Sequence, residues 1–296
     1  MIAFQRLDQH TYIMPGNNVI GAMTGPSGQA VIIDTGLDER YGRRILKAAE
    51  GAGFAVSAVL YTHSHVDHIG GGGYLMEHAR PSFYAFPAEA AAIENSGLEG
   101  FYLYAAKPIA ELATKFVHAE AVSPVRPLEA GPMAVGDVSF RAVRLPGHCL
   151  EHGGFISEDG YLFSGDALIS RKVWQRTGMP YLVDVKESLG TLEVIEEMDV
   201  RACVLAHGGV AEDFRALARD NRRAIEELAC RVHEALDRPM TKEDAFRKVM
   251  GELNAHFDLV GYYLLMSTFG AYLRYLRETG RAELCLENHQ VLWNRL

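Results

Sequence analysis

The chain has 296 residues, 48% of them apolar and 23% charged, with 29 lysines and arginines against 38 aspartates and glutamates. That balance excludes a disordered or fibrous chain and allows a core large enough to need no disulfide or metal to hold it. A net charge of −9 makes nucleic acid an unfavourable default partner.

The four cysteines, Cys149, Cys203, Cys230 and Cys285, are scattered and form no CxxC pair, which predicts free thiols in a reducing compartment. Residues 1–14 carry charge and no long apolar run, so no signal peptide is expected. No stretch reaches the roughly 18 apolar residues of a membrane span. The expectation is a cytoplasmic protein with no membrane partner.

In chain order, 20–24 and 29–34 read as apolar strands separated by Gly25-Pro26-Ser27-Gly28. Residues 38–52 show helical spacing through Ile45, Leu46 and Ala49. A buried-type strand, 56–61, runs directly into Thr62-His63. A Gly-rich loop then opens a helix over 74–79, followed by a short strand at 82–86. Residues 89–118 are rich in Tyr and Phe and read as a mostly helical insertion over one face. Strands follow at 138–145 and at 155–157 and 161–164, the last two joined by an Asp159-Gly160 turn. A helix over 188–198 leads to a strand at 202–206. After His207 the residues Phe214, Leu217, Asn221, Ile225, Leu228, Val232 and Leu236 recur at steps of three and four, marking a long amphipathic helix. Helices at 242–254 and 259–279 and a terminal hairpin complete the chain. The expected division is a catalytic domain over 1–210 and a small, mainly helical domain over 211–296.

The densest chemical signal is Thr62-His63-Ser64-His65-Val66-Asp67-His68. A strand places His63 and His65 on one face, and the turn into the next helix can aim Asp67 and His68 elsewhere, which suits two neighbouring metals. Imidazole and carboxylate together suit zinc or iron. Asp34, His148, Asp166 and His207 each follow the end of an apolar strand, which gathers polar residues on one rim of a sheet core.

His63-Ser64-His65-Val66-Asp67-His68 resembles the HxHxDH signature of the metallo-β-lactamase superfamily. Asp34 in Ile33-Asp34-Thr35-Gly36, Pro146-Gly147-His148, Ser164-Gly165-Asp166 and Ala206-His207-Gly208 resemble its other motifs, in the family's order, over roughly residues 10–210. The resemblance implies an α/β fold, a four-layer αββα sandwich, with the C-terminal helices and hairpin similar to a winged-helix appendage. It implies that His63, His65 and His148 bind one metal, that Asp67, His68 and His207 bind a second, and that Asp166 bridges them. Asp34 would orient the ligands. The implied cofactors are two divalent ions, zinc first, with iron or manganese compatible with the same ligands.

Such a site activates water as a bridging hydroxide that attacks an electrophilic carbonyl or phosphoryl centre. Asp166 is the central catalytic ligand, and Asp67 is a candidate proton acceptor as well as a ligand. Cys149, beside His148, reads as a small buried thiol. His152 reads as packing behind the ligands. Neither the Gly-Arg-rich segment of glyoxalase II and persulfide dioxygenases nor the lactonase-type Tyr appears after Asp166, where the run is Ala167-Leu168-Ile169-Ser170-Arg171-Lys172. The expected function is hydrolysis of a small ester, thioester or lactone. The alternatives are an iron-dependent persulfide dioxygenase-like oxidoreductase and a nuclease. The expected partner is a small-molecule substrate, with a homodimer left open. Arg215, Arg219, Arg222 and Arg223 read as a solvated helix face, and Tyr102, Tyr104, Tyr262 and Tyr263 as packing.

Overall fold

A computed structural model describes residues 3–112, 114 and 119–296. The first sheet has the order β1 (Gln5–Arg6), β2 (Thr11–Met14), β3 (Ile20–Thr24), β4 (Gln29–Ile33), β5 (Ala55–Leu60), β6 (Ser82–Ala85) and β7 (Val125–Pro127). β1 to β4 are antiparallel, and β4 to β7 run parallel. The second sheet reads β8 (Gly131–Val135), β9 (Val138–Arg144), β10 (Gly153–Ser157), β11 (Tyr161–Gly165), β12 (Ala202–Leu205) and β13 (Gly209–Ala211) across its width. In it only β11 and β12 are parallel.

Side-chain alternation explains the layering. On β4, Val31 and Ile33 face the second sheet while Ala30 and Ile32 face helices. On β12, Ala202 and Val204 point between the sheets and Cys203 and Leu205 point outward. Strands buried on both faces need continuous apolar runs, which these are. Phe140, Phe155 and Phe163 fill the space between the sheets.

The outer face of the first sheet is covered by α1 (Glu39–Ala52), α2 (Val66–Ile69), α3 (Gly72–His78) and α4 (Pro87–Glu94). Asp38 caps α1 by accepting from the Arg40 N–H, and Gly53 ends it in the left-handed region. α5 (Leu98–Tyr104) follows α4, and α6 (Arg171–Thr177) follows β11. The outer face of the second sheet is covered by α7 (Val185–Glu197) and α8 (Phe214–Ala235). The four layers are therefore helix, sheet, sheet, helix, an α/β architecture. α9 (Lys242–Glu252), α10 (Leu259–Glu278) and the hairpin β14 (Ala282–Glu287) with β15 (Gln290–Arg295) make the helical C-terminal region. One apolar cluster runs from Leu162 and Leu205 through Ile195 and Phe214 to Phe246, Phe269 and Tyr272. No helix among the described residues is long and apolar enough to cross a membrane.

The described part of the insertion is mostly helical, as expected, but it is not one continuous helix. It is broken into α4, α5 and a single 3-10 turn, Ala110–Leu112. Asn95-Ser96-Gly97 and Lys107-Pro108 supply the breaks, since these residues favour turns or cannot continue a helix. Residues 113 and 115–118 of that expectation lie outside the described residues.

Candidate metal centre

Two parallel strand pairs end at one edge of the sandwich. In the first sheet Ile33 pairs with Leu60, so Asp34 and Thr62-His63 emerge side by side. In the second, Gly165 pairs with Leu205, so Asp166 and His207 emerge together. His65 stands at the N-terminal boundary of α2, and Asp67 and His68 lie on its single turn. Two glycines set the remaining approach. Gly147 has φ +123°, and a Cβ there would lie 2.2 Å from Ser188 Oγ, so the chain turns tightly against α7 before presenting His148. Gly165 has φ +51°, and a Cβ would lie 2.7 Å from the His152 ring.

The outer nitrogens of four histidines are already committed. His68 Nδ1 lies 2.8 Å from Asp34 Oδ2. His148 Nδ1 lies 2.9 Å from the Tyr181 carbonyl, and His207 Nδ1 lies 2.9 Å from that of Asn17. Thr62 Oγ1 donates to Asp34 Oδ2 at 2.8 Å and so accepts from His63 Nδ1 at 3.0 Å. Each Nδ1 therefore carries the proton, and each Nε2 turns a lone pair inward. His65 is reversed: its Nδ1 faces inward, and its Nε2 faces Cys149 Sγ at 3.5 Å and Glu99 Oε1 at 4.0 Å.

These lone pairs converge. His65 Nδ1 is 3.0 Å from His63 Nε2 and 3.0 Å from His148 Nε2. His207 Nε2 is 3.1 Å from Asp67 Oδ2, and His68 Nε2 is 3.8 Å from Asp67 Oδ1. Asp166 Oδ2 lies 3.7 Å from Nε2 of each of His68, His148 and His207. His63, His65, His148 and Cys149 form one group with donor atoms mutually within 4.8 Å, His63, His68 and Asp166 a second, and Asp67, His68 and His207 a third. His68 Nε2 is buried with no hydrogen-bond partner among the described residues. Acceptor nitrogens pressed together without protons to share, and an orphaned buried Nε2, fit a bound cation. Cys149 is buried, as expected, yet it belongs to the first of these groups.

Electrostatics agree with that fit. Burial holds His63 well below its ordinary pKa, lowers His148 and brings His65 down to about 3. Burial also opposes charge on His68, but Asp67, Asp34 and Asp166 outweigh it and hold His68 well above its usual value. For His207 burial is outweighed by Asp166 and Asp67, and its pKa rises to about 9. Burial disfavours ionised Asp67 and Asp166, yet both are held low, Asp67 by His68 and His207, Asp166 by His207, His68 and His148. The carboxylates thus draw positive charge into the centre, and a divalent cation satisfies that attraction in place of imidazolium protons.

A family model of the metallo-beta-lactamase superfamily matches residues 16–207. The chain belongs to that superfamily. It is 31% identical over 163 residues to a hydroxyacylglutathione hydrolase of Xanthomonas euvesicatoria pv. vesicatoria, covering 52% of this chain and 48% of the relative. It is 25% identical over 193 residues to an atrochrysone carboxyl ACP thioesterase of Aspergillus fumigatus, covering 64% of this chain and 51% of the relative. The chain therefore spans about half the length of these curated relatives. The fold matches a solved metallo-beta-lactamase family protein of Thermus thermophilus with a TM-score of 0.76 at 20% identity, covering 98% of this chain and 100% of that one.

Around these superfamily motifs the structure places further residues, of which Asn18, Glu89 and Asn221 had no functional signal in the sequence. Asn18 Nδ2 donates to Asp67 Oδ2 at 3.1 Å and to the Asp67 carbonyl at 2.9 Å. His152 Nε2 accepts the Asp166 N–H at 3.2 Å, so it steadies the backbone at Asp166. Glu89 accepts from Ser64 N–H at 3.0 Å and Ser64 Oγ at 2.7 Å, fixing the loop between His63 and His65. Asn221 on α8 bonds both Ile169 N–H and Ile169 C=O at 2.9 Å, clamping the loop after Asp166. Arg219 and Arg222 pair with Glu196, and Arg215 reaches the Met198 carbonyl, so these arginines tie α8 to α7 and the turn after it. Tyr104 and Tyr262 pack against Tyr263, while Tyr102 is half exposed.

Proposed function

We propose that the protein is a metal-dependent hydrolase of a small ester, thioester or lactone, holding two divalent metals, zinc first. The observation that carries this reading is Asp166 Oδ2, equidistant at 3.7 Å from His148 in one donor group and from His68 and His207 in the other. In this reading His63, His65 and His148 hold one ion, Asp67, His68 and His207 the second, and Asp166 both. When bound, such ions polarise a substrate oxygen and make water acidic enough to serve as a nucleophile at neutral pH.

The chain's own residues position that chemistry. Asp34 and Thr62 fix His63 and His68, Tyr181 and Asn17 fix His148 and His207, and Asn18 holds Asp67. A carboxylate held as low as Asp67 is a weak proton acceptor, so its role as a metal holder takes precedence over that of a general base. Residues 1–210 carry the chemistry; of 211–296, α8 completes the outer helical layer, and the start of α10 walls the substrate cavity. The names of the relatives, a hydroxyacylglutathione hydrolase and a thioesterase, favour a thioester over a lactone.

Elemental analysis of protein purified without added metal, with thioester and lactone assays, tests the reading. The expected result is about two zinc ions per chain, with Asp166→Ala losing occupancy at both positions and all turnover. Full metal content and near-normal turnover in Asp166→Ala would overturn the bridging assignment. Iron with oxygen consumption on persulfides would replace hydrolysis by the dioxygenase reading, and RNA cleavage with steep salt dependence by the nuclease reading.

A further inference from the structure

A cavity of about 670 Å³ borders the centre, touching His65, Asp67, His148, Asp166 and His207. That volume falls in the range of pockets enclosing drug-sized ligands. Beyond the ligand side chains its wall is largely apolar: Ile169 after β11, Val173 on α6, Met179, and Leu264 and Leu265 on α10. The apolar character continues outward. Phe257, on the wall at the start of α10, is 39% exposed, and Leu259, two residues on, is 43% exposed. An exposed apolar side chain on the wall itself adds to the surface that an apolar ligand can cover.

The cavity also holds one permanent cation. Arg176, exposed on α6, is the single lysine or arginine among its described lining residues. Nearby arginines are paired, Arg171 with Asp220 and Arg274 with Asp184 and Glu278. Arg176 has no ion pair or hydrogen bond among the described residues. The acids lining the same cavity are engaged elsewhere. Asp258 accepts from Gly261 N–H at 2.8 Å to cap α10, Glu99 faces His65 Nε2, and Asp67 and Asp166 face the histidines.

Resting on the hydrolase reading above, we propose that the substrate is a thioester with a hydrocarbon acyl chain and an anionic leaving group. The chain lies along Val173, Met179, Leu264 and Leu265, and Arg176 holds the anion at the mouth. Hydrolysis breaks the acyl carbon–sulfur bond: the carbonyl carbon gains water's hydroxyl, and the sulfur leaves as a thiol with water's other proton. A short polar hydroxyacyl group would leave this wall unfilled.

Binding separates this inference from catalysis. Calorimetric titration of the full chain would use uncleavable thioethers, butyl or decyl, ending in either 2-sulfoethyl or 2-hydroxyethyl. Decyl should bind tighter than butyl, by up to about fourfold per methylene until the wall is filled. Sulfonate should bind about two- to fivefold tighter than hydroxyl. Arg176→Gln should erase the sulfonate preference, and Val173→Gln, on a helix with no buried residue, should blunt the chain-length gain. Leu265→Gln gives a second reading of the same wall. Equal binding of butyl and decyl, or a sulfonate preference that survives Arg176→Gln, would overturn the proposal. Expected thioether binding without cleavage of any thioester by the metal-loaded protein would instead sink the hydrolase reading and leave the ligand class standing.

Discussion

Asp34→Asn isolates one hydrogen bond at the centre. Asp34 is 4% exposed and sits at φ +59°, a conformation that asparagine tolerates and alanine does not adopt readily. Its Oδ1 accepts the Thr62 N–H at 2.8 Å, and its Oδ2 accepts both Thr62 Oγ1 and His68 Nδ1 at 2.8 Å. An amide keeps the volume and one acceptor: with its NH2 in the Oδ1 place it opposes the Thr62 N–H, and in the orientation that keeps that backbone bond its NH2 opposes both the Thr62 hydroxyl and the His68 N–H. His68 is driven toward the other tautomer, which places a proton on the Nε2 that should hold metal. Loss of such an orienting partner costs about 10–100-fold in metal affinity, or roughly 1.4–2.7 kcal/mol. Competition against a chromophoric chelator at fixed pH, with the variant's fold checked by circular dichroism, reads that loss directly. Wild-type affinity in a folded Asp34→Asn protein would refute the argument that Asp34 sets the His68 tautomer.

Two further changes probe how the scaffold holds the ligands. Gly147→Ala should destabilise the chain by about 2–4 kcal/mol, because it adds φ strain and a clash with Ser188 Oγ at 2.2 Å; an unchanged thermal midpoint would show that the turn before His148 relaxes freely. Asn221→Ala removes three bonds, to Ile169 N–H and C=O and to the Leu217 carbonyl, and should cost about 2–4 kcal/mol while raising KM more than it lowers metal content; loss of metal with KM unchanged would show that α8 supports the centre rather than the cavity.

The clustering of the candidate centre was legible in the sequence because its residues sit in short motifs at strand ends, where a few neighbours decide the local backbone. His63 to His68 follow one strand, and Asp166 and His207 follow two others. The long helix α8 was legible for a different reason: its buried Leu217, Ile225, Leu228 and Val232 keep a helical period. What failed lacked a local signal. α6 buries none of its residues and so shows no apolar stripe, yet it supplies Val173 and Arg176 to the cavity. α2 is a single turn, too short for any period to register. Glu99 lies in the broken insertion 34 positions after His65, and only the folded chain turns it toward His65 Nε2. The Tyr181 and Asn17 carbonyls are backbone atoms that any residue could offer, so no residue type announces them.

That division has a structural cause. β4 with β5 and β11 with β12 are parallel pairs, and each brings two strand ends to the same edge. Covered on both faces, these strands cannot shift register without expelling apolar side chains from the core, so the positions of Asp34, His63, Asp166 and His207 are rigidly set. The walls of the cavity come from α5, α6 and the start of α10, which lie over the sandwich rather than within it. Their residues can change with little cost to the two sheets. A fold built this way can hold its motif edge constant while the covering helices change. The superfamily motifs therefore speak to the reaction class, and on the reading proposed above the substrate is set by cavity residues such as Val173, Arg176, Leu264 and Leu265.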